Sequence, residues 1–284
     1  MRTIIVSAVI AFLAACSSQP PVPAYQLTGQ ILVVKPETSE LLVKHEDIKG
    51  FMPAMTMPYT VKDAALLKDK TAGDLITATL NVAPGGPFLS AIVKTGAAPL
   101  PEDARPDIPP AANVHLLKAG DLVPATALVD QGQSITMADF KGSALAVTFI
   151  YTRCPLANFC PLLDRRFAEV QKMAAADPAL AGKIRLLSIS FDPANDRDAA
   201  LKAHARKLGA DPNVWRFATA EQAVVDRLAA EFAVNVIREK DGTITHNLRT
   251  AIVDPSGRIV SILDNNSWEA SELVSGLKHA LATR

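Results

Sequence analysis

Three of the six methionines fall in one seven-residue stretch, FMPAMTM at residues 51–57. If this stretch leads into a strand, Met55 and Met57 point to the same face. His45 stands at the end of the preceding strand-like run, where a neighbouring strand brings it near them. Thioether and imidazole donors are soft and suit Cu(I) or Ag(I). The alternative is that these methionines only fill space on a core face of the strand. Met52 does not fit that alternative, because it precedes Pro53 and lies outside the strand.

A second group that could do chemistry is the cysteine pair in FIYTRCPLANFCP, Cys154 and Cys160. Cysteines this close together form a disulfide, a redox pair or a metal site. Cys154 follows a buried strand and Cys160 precedes a helix, whose N-terminus lowers the pKa of a nearby thiol. A disulfide within one short loop contributes little through chain entropy, which favours a functional pair. His246, ahead of a strand of the last hairpin, is the candidate third ligand, because two thiolates and an imidazole suit Cu(I).

The elements that position the methionines are short strands. Before residue 97, five runs rich in β-branched residues are separated by turn residues, at 25–34, 40–45, 55–61, 75–82 and 88–94. Five short strands in so few residues predict a small all-β barrel of the OB type, over residues 25–96. A proline-rich stretch follows, and residues 97–115 are predicted to be an extended linker.

The elements that position the cysteines alternate between strands and helices. The predicted strands are 144–151, 183–191, 246–254 and 258–264, and the predicted helices are 161–176, 197–209, 221–232 and 267–282. The last two strands flank a Pro-Ser-Gly turn as a hairpin. This order predicts an α/β domain of the thioredoxin type over residues 116–284.

The N-terminal end of the sequence reads as a targeting segment. Residues 1–16 carry Arg2, an apolar run too short to span a bilayer, and Cys16. The ending LAAC resembles a bacterial lipobox, which implies cleavage before Cys16 and lipidation of its sulfur; the alternative is an ordinary signal peptide. Residues 17–24 form a tether. Ser17, rather than an Asp, follows Cys16, which favours the outer membrane, on the periplasmic side.

The charge balance bears on partners. The chain has 29 basic and 29 acidic residues, so nothing indicates a nucleic-acid partner. No other segment is long and apolar enough to span a membrane. We expect a monomer held at the membrane by its lipid.

The segment KHEDIKGFMPAMTMPYTV resembles the periplasmic copper-binding domain typified by CusF. That resemblance covers about 70 residues and implies a small β-barrel with His45, Met55 and Met57 as copper ligands. Some members place a Trp where this chain has Met52, which here implies a third thioether or a more open site.

The segments ending in TFIYTRCP, SISFDPANDRDAAL and HNLRTAIVDPSGRIV together resemble the Sco/SenC family. That resemblance runs from about residue 116 to the end and implies a thioredoxin fold with Cys154, Cys160 and His246 as copper ligands. It places Asp192 next to the ligands, or makes it a cap of the following helix. The commoner family spacing is C-x3-C, whereas this chain has C-x5-C.

These observations predict a metallochaperone. The barrel captures Cu(I) and passes it to the Cys/His site, with Cu(II) as an alternative metal state there. That site delivers copper to a client apo-cuproprotein, such as the copper-containing subunit of cytochrome c oxidase with its dinuclear centre. One alternative is a thiol-disulfide oxidoreductase that uses Cys154 and Cys160 to reduce client cysteines. Another is a resistance protein that sequesters copper.

Overall fold

The structure is a computed structural model that describes residues 22–52, 54–83, 86–100, 114–238, 242–266 and 268–283. Cys16 and most of the predicted linker lie outside these ranges, so the predictions made for them stay predictions. None of the helices in the described ranges is long and apolar enough to cross a membrane.

The N-terminal part is the closed five-stranded barrel that the strand pattern predicts. Its strands are β1 Ala24–Lys35, β2 Glu40–His45, β3 Met55–Val61, β4 Asp74–Ala83 and β5 Gly86–Ala97. They close into a barrel in the order β1-β2-β3-β5-β4, with β3 and β5 joined by two residue pairs. Alternating residues such as Leu27, Ile31, Leu41 and Tyr59 fill the interior.

The C-terminal part is an α/β domain built on a five-stranded sheet. Its strands are β6 Leu128–Asp130, β7 Gln133–Ile135, β8 Ala144–Ile150, β9 Ile184–Ser190, β10 Trp215–Ala218, β11 Val236–Arg238, β12 Ile244–His246, β13 Arg249–Val253 and β14 Ile259–Asp264. Its helices are α1 Cys160–Ala176, α2 Asp198–Leu208, α3 Gln222–Glu231 and α4 Ala270–Ala282. The main sheet has the order β10-β9-β8-β13-β14, and β13 runs antiparallel to β8.

Several details differ from the sequence-based expectations. The short pairs β6-β7 and β11-β12 and the strand β10 were not predicted, because three or four residues carry too little periodicity. Helix α4 begins at Ala270 with Glu269 as its N-cap, so the predicted start at residue 267 is too early. Helix α2 ends as predicted at Gly209, whose φ of 67° is the left-handed conformation that glycine adopts most easily.

The two domains pack against each other. Strand β12 of the C-terminal domain lies against β3 of the barrel. Phe159, from the loop between the two cysteines, contacts the cores of both domains. Leu32 and Leu42 lie outside the barrel core and form a separate buried cluster with Ile237 of β11. We call Leu32, Leu42 and Ile237 the docking cluster.

Candidate metal centres

Strand register brings His45 to the methionines. In the β2–β3 pair, His45 lies directly opposite Met55, and Val43 lies opposite Met57. Opposite residues of antiparallel strands have Cβ atoms about 4.5–5.5 Å apart, so the His45 and Met55 side chains are neighbours. On its other side His45 faces Gly29 of β1, where an added Cβ would come within 2.8 Å of the His45 Cα. Glycine at this position therefore lets the β2 backbone approach.

The His45 ring has one nitrogen occupied and one free. Its Nδ1 lies 2.7 Å from the Glu46 carbonyl oxygen, which can only accept, so Nδ1 carries the proton. Its Nε2 is buried and has no hydrogen-bond partner among the residues that the structure describes. Burial lowers the pKa of His45, although the Glu46 hydrogen bond and the nearby Asp47 oppose this effect. A neutral imidazole with a buried, unused lone pair fits a soft metal ion.

Tyr59 brings the remaining methionine into the same cluster. The Tyr59 hydroxyl lies 3.8 Å from the Met52 sulfur and 4.0 Å from the Met57 sulfur. Burial raises the pKa of Tyr59, so the hydroxyl stays protonated and can donate to either thioether. The His45 and Tyr59 rings meet edge to face at 5.9 Å. The Met52 and Met57 sulfurs therefore lie beside the same hydroxyl.

The cysteines sit where the sequence places them. Cys154 is half-buried and follows the completely buried strand β8, and Cys160 is the first residue of α1 and is buried. Both are free thiols. The Cys160 Sγ lies 3.3 Å from His246 Nε2, and His246 Nδ1 lies 3.0 Å from the Asn247 carbonyl oxygen. His246 thus shows the same arrangement as His45: Nδ1 donates to the next residue's carbonyl, and Nε2 remains for a ligand.

The two thiols have unlike environments. Hydrogen bonding with Cys160 lowers the pKa of Cys154 well below its ordinary range; burial opposes this, and hydrogen bonding with His246 lowers it further. Complete burial raises the pKa of Cys160, and the adjacent Cys154 sulfur raises it more. Cys154 is therefore the thiolate of the pair.

The Cys/His set is not yet a closed ligand group. In the part of the chain that the structure describes, no three His, Cys, Asp or Glu side chains are arranged to hold a metal ion. Cys160 and His246 already meet, while the Cys154 Sγ lies 3.9 Å from the Leu156 carbonyl oxygen. Cys154 also adjoins both of these groups, through its hydrogen bonding with Cys160 and His246, so the three side chains meet without forming a closed ligand set.

Aromatic rings surround His246, and sequence reasoning missed them. The Phe191 ring lies 4.7 Å from the imidazole, Tyr151 lies 5.9 Å away, and Phe159 lies 6.4 Å away. Tyr151 follows β8, Phe191 follows β9, and Phe159 lies in the cysteine loop itself. They fix the orientation of the imidazole and exclude water from one side of it.

Two aspartates hold the cysteine loop. Asp192 accepts a hydrogen bond from Arg153 at 2.9 Å, so it positions the residue before Cys154. Asp196 is fully buried and accepts from the Thr152 backbone N–H at 2.9 Å and the Ser190 hydroxyl at 2.6 Å, as well as from the Thr152 hydroxyl. The sequence indicated Asp192 but not Asp196, whose partners lie on other elements.

Comparison with known proteins identifies the C-terminal domain. Residues 120–282, more than half of the chain, match the family model SCO1/SenC. The chain belongs to the SCO1/SenC family. A curated relative, the SCO1 protein homolog of Bacillus subtilis (strain 168), is 24% identical over 166 residues, which is 56% of this chain and 82% of that protein.

Solved Sco structures confirm the thioredoxin-like fold. Arabidopsis thaliana ScoI with copper bound aligns with a TM-score of 0.51 and 16% identity, over 58% of this chain and 100% of that one. BsSco, described as a member of the Sco family of cytochrome c oxidase assembly proteins, aligns with a TM-score of 0.51 and 22% identity. The alignment covers 61% of this chain and 100% of that one.

The barrel has a match of its own. Residues 24–94 match the family model of the copper binding periplasmic protein CusF. The CusF-like barrel and the Sco domain together support copper as the metal of this chain, and they indicate a periplasmic or extracellular protein.

The unlike Sco thiols predict selective alkylation. At pH 6 an ordinary thiol, with a pKa of about 8.5, is only roughly 0.3% thiolate. Because the pKa of Cys154 is lowered, we expect iodoacetamide to modify Cys154 at pH 6 at least about tenfold faster than free cysteine, while Cys160 stays unmodified. Peptide mass spectrometry of the reduced, metal-free protein measures both rates. Faster labelling of Cys160 would contradict this assignment of the thiolate.

Proposed function

We propose that this chain is a periplasmic Cu(I) metallochaperone with two metal sites. His45, Met55 and Met57 hold copper in the barrel, with Met52 as an additional thioether. Cys154, Cys160 and His246 hold it in the Sco domain. The observation that carries the proposal is the shared arrangement of the two histidines. Each donates through Nδ1 to its neighbour's carbonyl and leaves Nε2 for a metal. The Nε2 of His45 has no partner within the described ranges, and that of His246 faces a thiol.

The two donor sets suit different roles in a chaperone, one in copper capture and the other in redox-dependent release. Thioethers need no deprotonation and form no disulfide, so the barrel captures Cu(I) whatever the thiol redox state. The Cys/His site binds copper as thiolates and releases it when it is oxidised. We propose that it delivers copper to a client apo-cuproprotein, in the first instance the dinuclear copper centre of cytochrome c oxidase, and that lipidation at Cys16 holds the chain at the membrane.

A titration tests the proposed sites directly. With the protein from Ser17 onward, we expect two equivalents of Cu(I) to bind when the cysteines are reduced and one when they are oxidised to the disulfide, because only the barrel is independent of thiol state. Competition with a chromophoric Cu(I) chelator, run anaerobically, measures both. One equivalent in both states would remove the copper role of Cys154 and Cys160.

A second function is favoured by the geometry of the cysteine pair. A half-exposed thiolate beside a buried thiol at a helix N-terminus is the arrangement of an attacking and a resolving cysteine. The oxidoreductase function predicts that metal-free protein reduces a disulfide substrate, and that the reaction is lost in either Cys154→Ser or Cys160→Ser. Unchanged turnover in both variants would exclude it.

A further inference from the structure

The two candidate copper sites open into one cavity between the domains. Met55 and Met57 line it from the barrel, and Cys154 and His246 line it from the Sco domain. Its volume is about 10 Å³, close to the space that one water molecule needs. Two thioethers, a thiol and an imidazole in a space of this size are soft donors suited to a single Cu(I) ion.

Met57 and Phe159 form part of the wall of this cavity. The same two residues line a wider pocket of about 390 Å³, whose other lining residues also come from both domains. Phe159 also packs against the cores of both domains. The cysteine loop therefore supplies a side chain that lies at both spaces and contacts both domains.

We infer that Met55, Met57, Cys154 and His246 form a shared Cu(I) position through which copper passes from the barrel to the Sco domain without entering solvent. The inference rests on the proposed function and specifies its internal route. Copper stays Cu(I) throughout, so no electron moves. A Cu–thioether bond breaks as the Cys154 thiolate forms a Cu–S bond, and Cys160 releases its proton to buffer when it coordinates in turn.

The docking cluster allows the route to be tested without touching a ligand. Ile237 is 2% exposed and packs on Leu32 and Leu42, outside the cores of both domains. In Ile237→Asp the new carboxylate is buried when the domains are docked and solvated when they are apart. Because burying an unpaired charge is costly, we expect this variant to separate the domains. Leu42→Asp does the same from the barrel side. Val93→Asp is the matched control, since Val93 is 59% exposed on the barrel surface and lies outside the docking cluster.

The experiment follows one copper ion in the chain from Ser17 onward. The cysteines are oxidised to the disulfide, and one equivalent of Cu(I) is loaded on the barrel. A phosphine reductant and a coloured Cu(I) chelator are then added together, anaerobically. The chelator is used at several mM, at or above the ~mM effective concentration that a flexible tether gives. Ultraviolet thiolate-to-copper absorption measures the copper that reaches the cysteines. The colour of the chelator measures the copper that leaves the protein.

If copper passes between docked domains, the fraction that reaches the thiolates and the fraction captured by the chelator should differ clearly between the variants. In the wild type and Val93→Asp we expect nearly all of the copper to reach the thiolates, at a rate independent of chelator and protein concentration. In Ile237→Asp and Leu42→Asp we expect escape to the chelator to rise about tenfold or more, because transfer must then compete with capture. Small-angle scattering confirms that these two variants are extended.

Two outcomes would overturn the inference. One is equal escape from the wild type and from variants that scattering shows to be undocked. The other is wild-type transfer that falls in proportion to chelator concentration. Failure of the proposed function is distinguishable, because a site that binds no copper is detected in the static titration before any transfer is started.

Discussion

The double variant Met55→Leu/Met57→Leu is expected to lose the barrel copper site while the fold is kept. With the cysteines oxidised, the wild type should bind one Cu(I) and the variant none at chelator concentrations where the wild type is saturated. Losing two ligands should cost more than the roughly 10–100-fold that loss of an outer-shell partner costs. Leucine and methionine have similar volumes, so the core should lose less than about 1.5 kcal/mol per substitution.

The control for that variant is another buried methionine. Met137→Leu changes a side chain that is 1% exposed in the core of the Sco domain, far from His45. It should leave both copper equivalents in place. If the double variant binds copper with unchanged affinity, then Met55 and Met57 only fill the core, and the thioether site does not exist.

Asp196→Ala is expected to cause the largest loss of stability of any single change near the cysteines. The Thr152 N–H and two hydroxyls would lose their acceptor in a buried place, and each unpaired buried group costs about 1–3 kcal/mol. We expect the free energy of unfolding of the Sco domain to fall by about 3 kcal/mol or more, as measured by urea denaturation of the metal-free protein. The Cys/His site should bind copper more weakly, because Thr152 lies two residues before Cys154.

Two further variants distinguish loss of the Asp196 hydrogen bonds from the general effect of removing a carboxylate in this region. Asp196→Asn keeps an acceptor oxygen and should recover part of the stability. Asp198→Ala removes a carboxylate two residues away, in the first turn of α2. Its interaction with the helix dipole stabilises the fold by only about 0.3–1 kcal/mol. If Asp196→Ala is no less stable than Asp198→Ala, then Asp196 does not hold the loop.

The sequence could predict the parts of the sites that depend on local periodicity. Period-two alternation places Met55 and Met57 on one face, and His45 at the end of the adjacent strand falls opposite Met55. The strand-then-helix pattern likewise places Cys154 and Cys160 at the ends of β8 and α1. These are short-range consequences of residue type and spacing.

The parts that could not be predicted depend on contacts between distant segments. Asp196 reads as a residue of an ordinary turn, and only the folded chain brings Thr152 and Ser190 to it. Leu32 and Leu42 read as common strand residues until Ile237 is seen to cover them. Phe159 appeared only as part of a loop insertion, because one sequence does not show which surface an inserted side chain contacts.

In the proposed function, the position of His246, which is 4% exposed and lines the cavity between the domains, has a consequence for a protein that takes copper from it. A recipient can reach the site only in molecules whose barrel has swung away, so its apparent affinity is the intrinsic affinity multiplied by the open fraction. If ten molecules are closed for each one open, the recipient binds about tenfold more weakly. Under that proposal the barrel competes with the recipient, and the apolar contact at Ile237 is expected to set how strongly a recipient must bind to displace it.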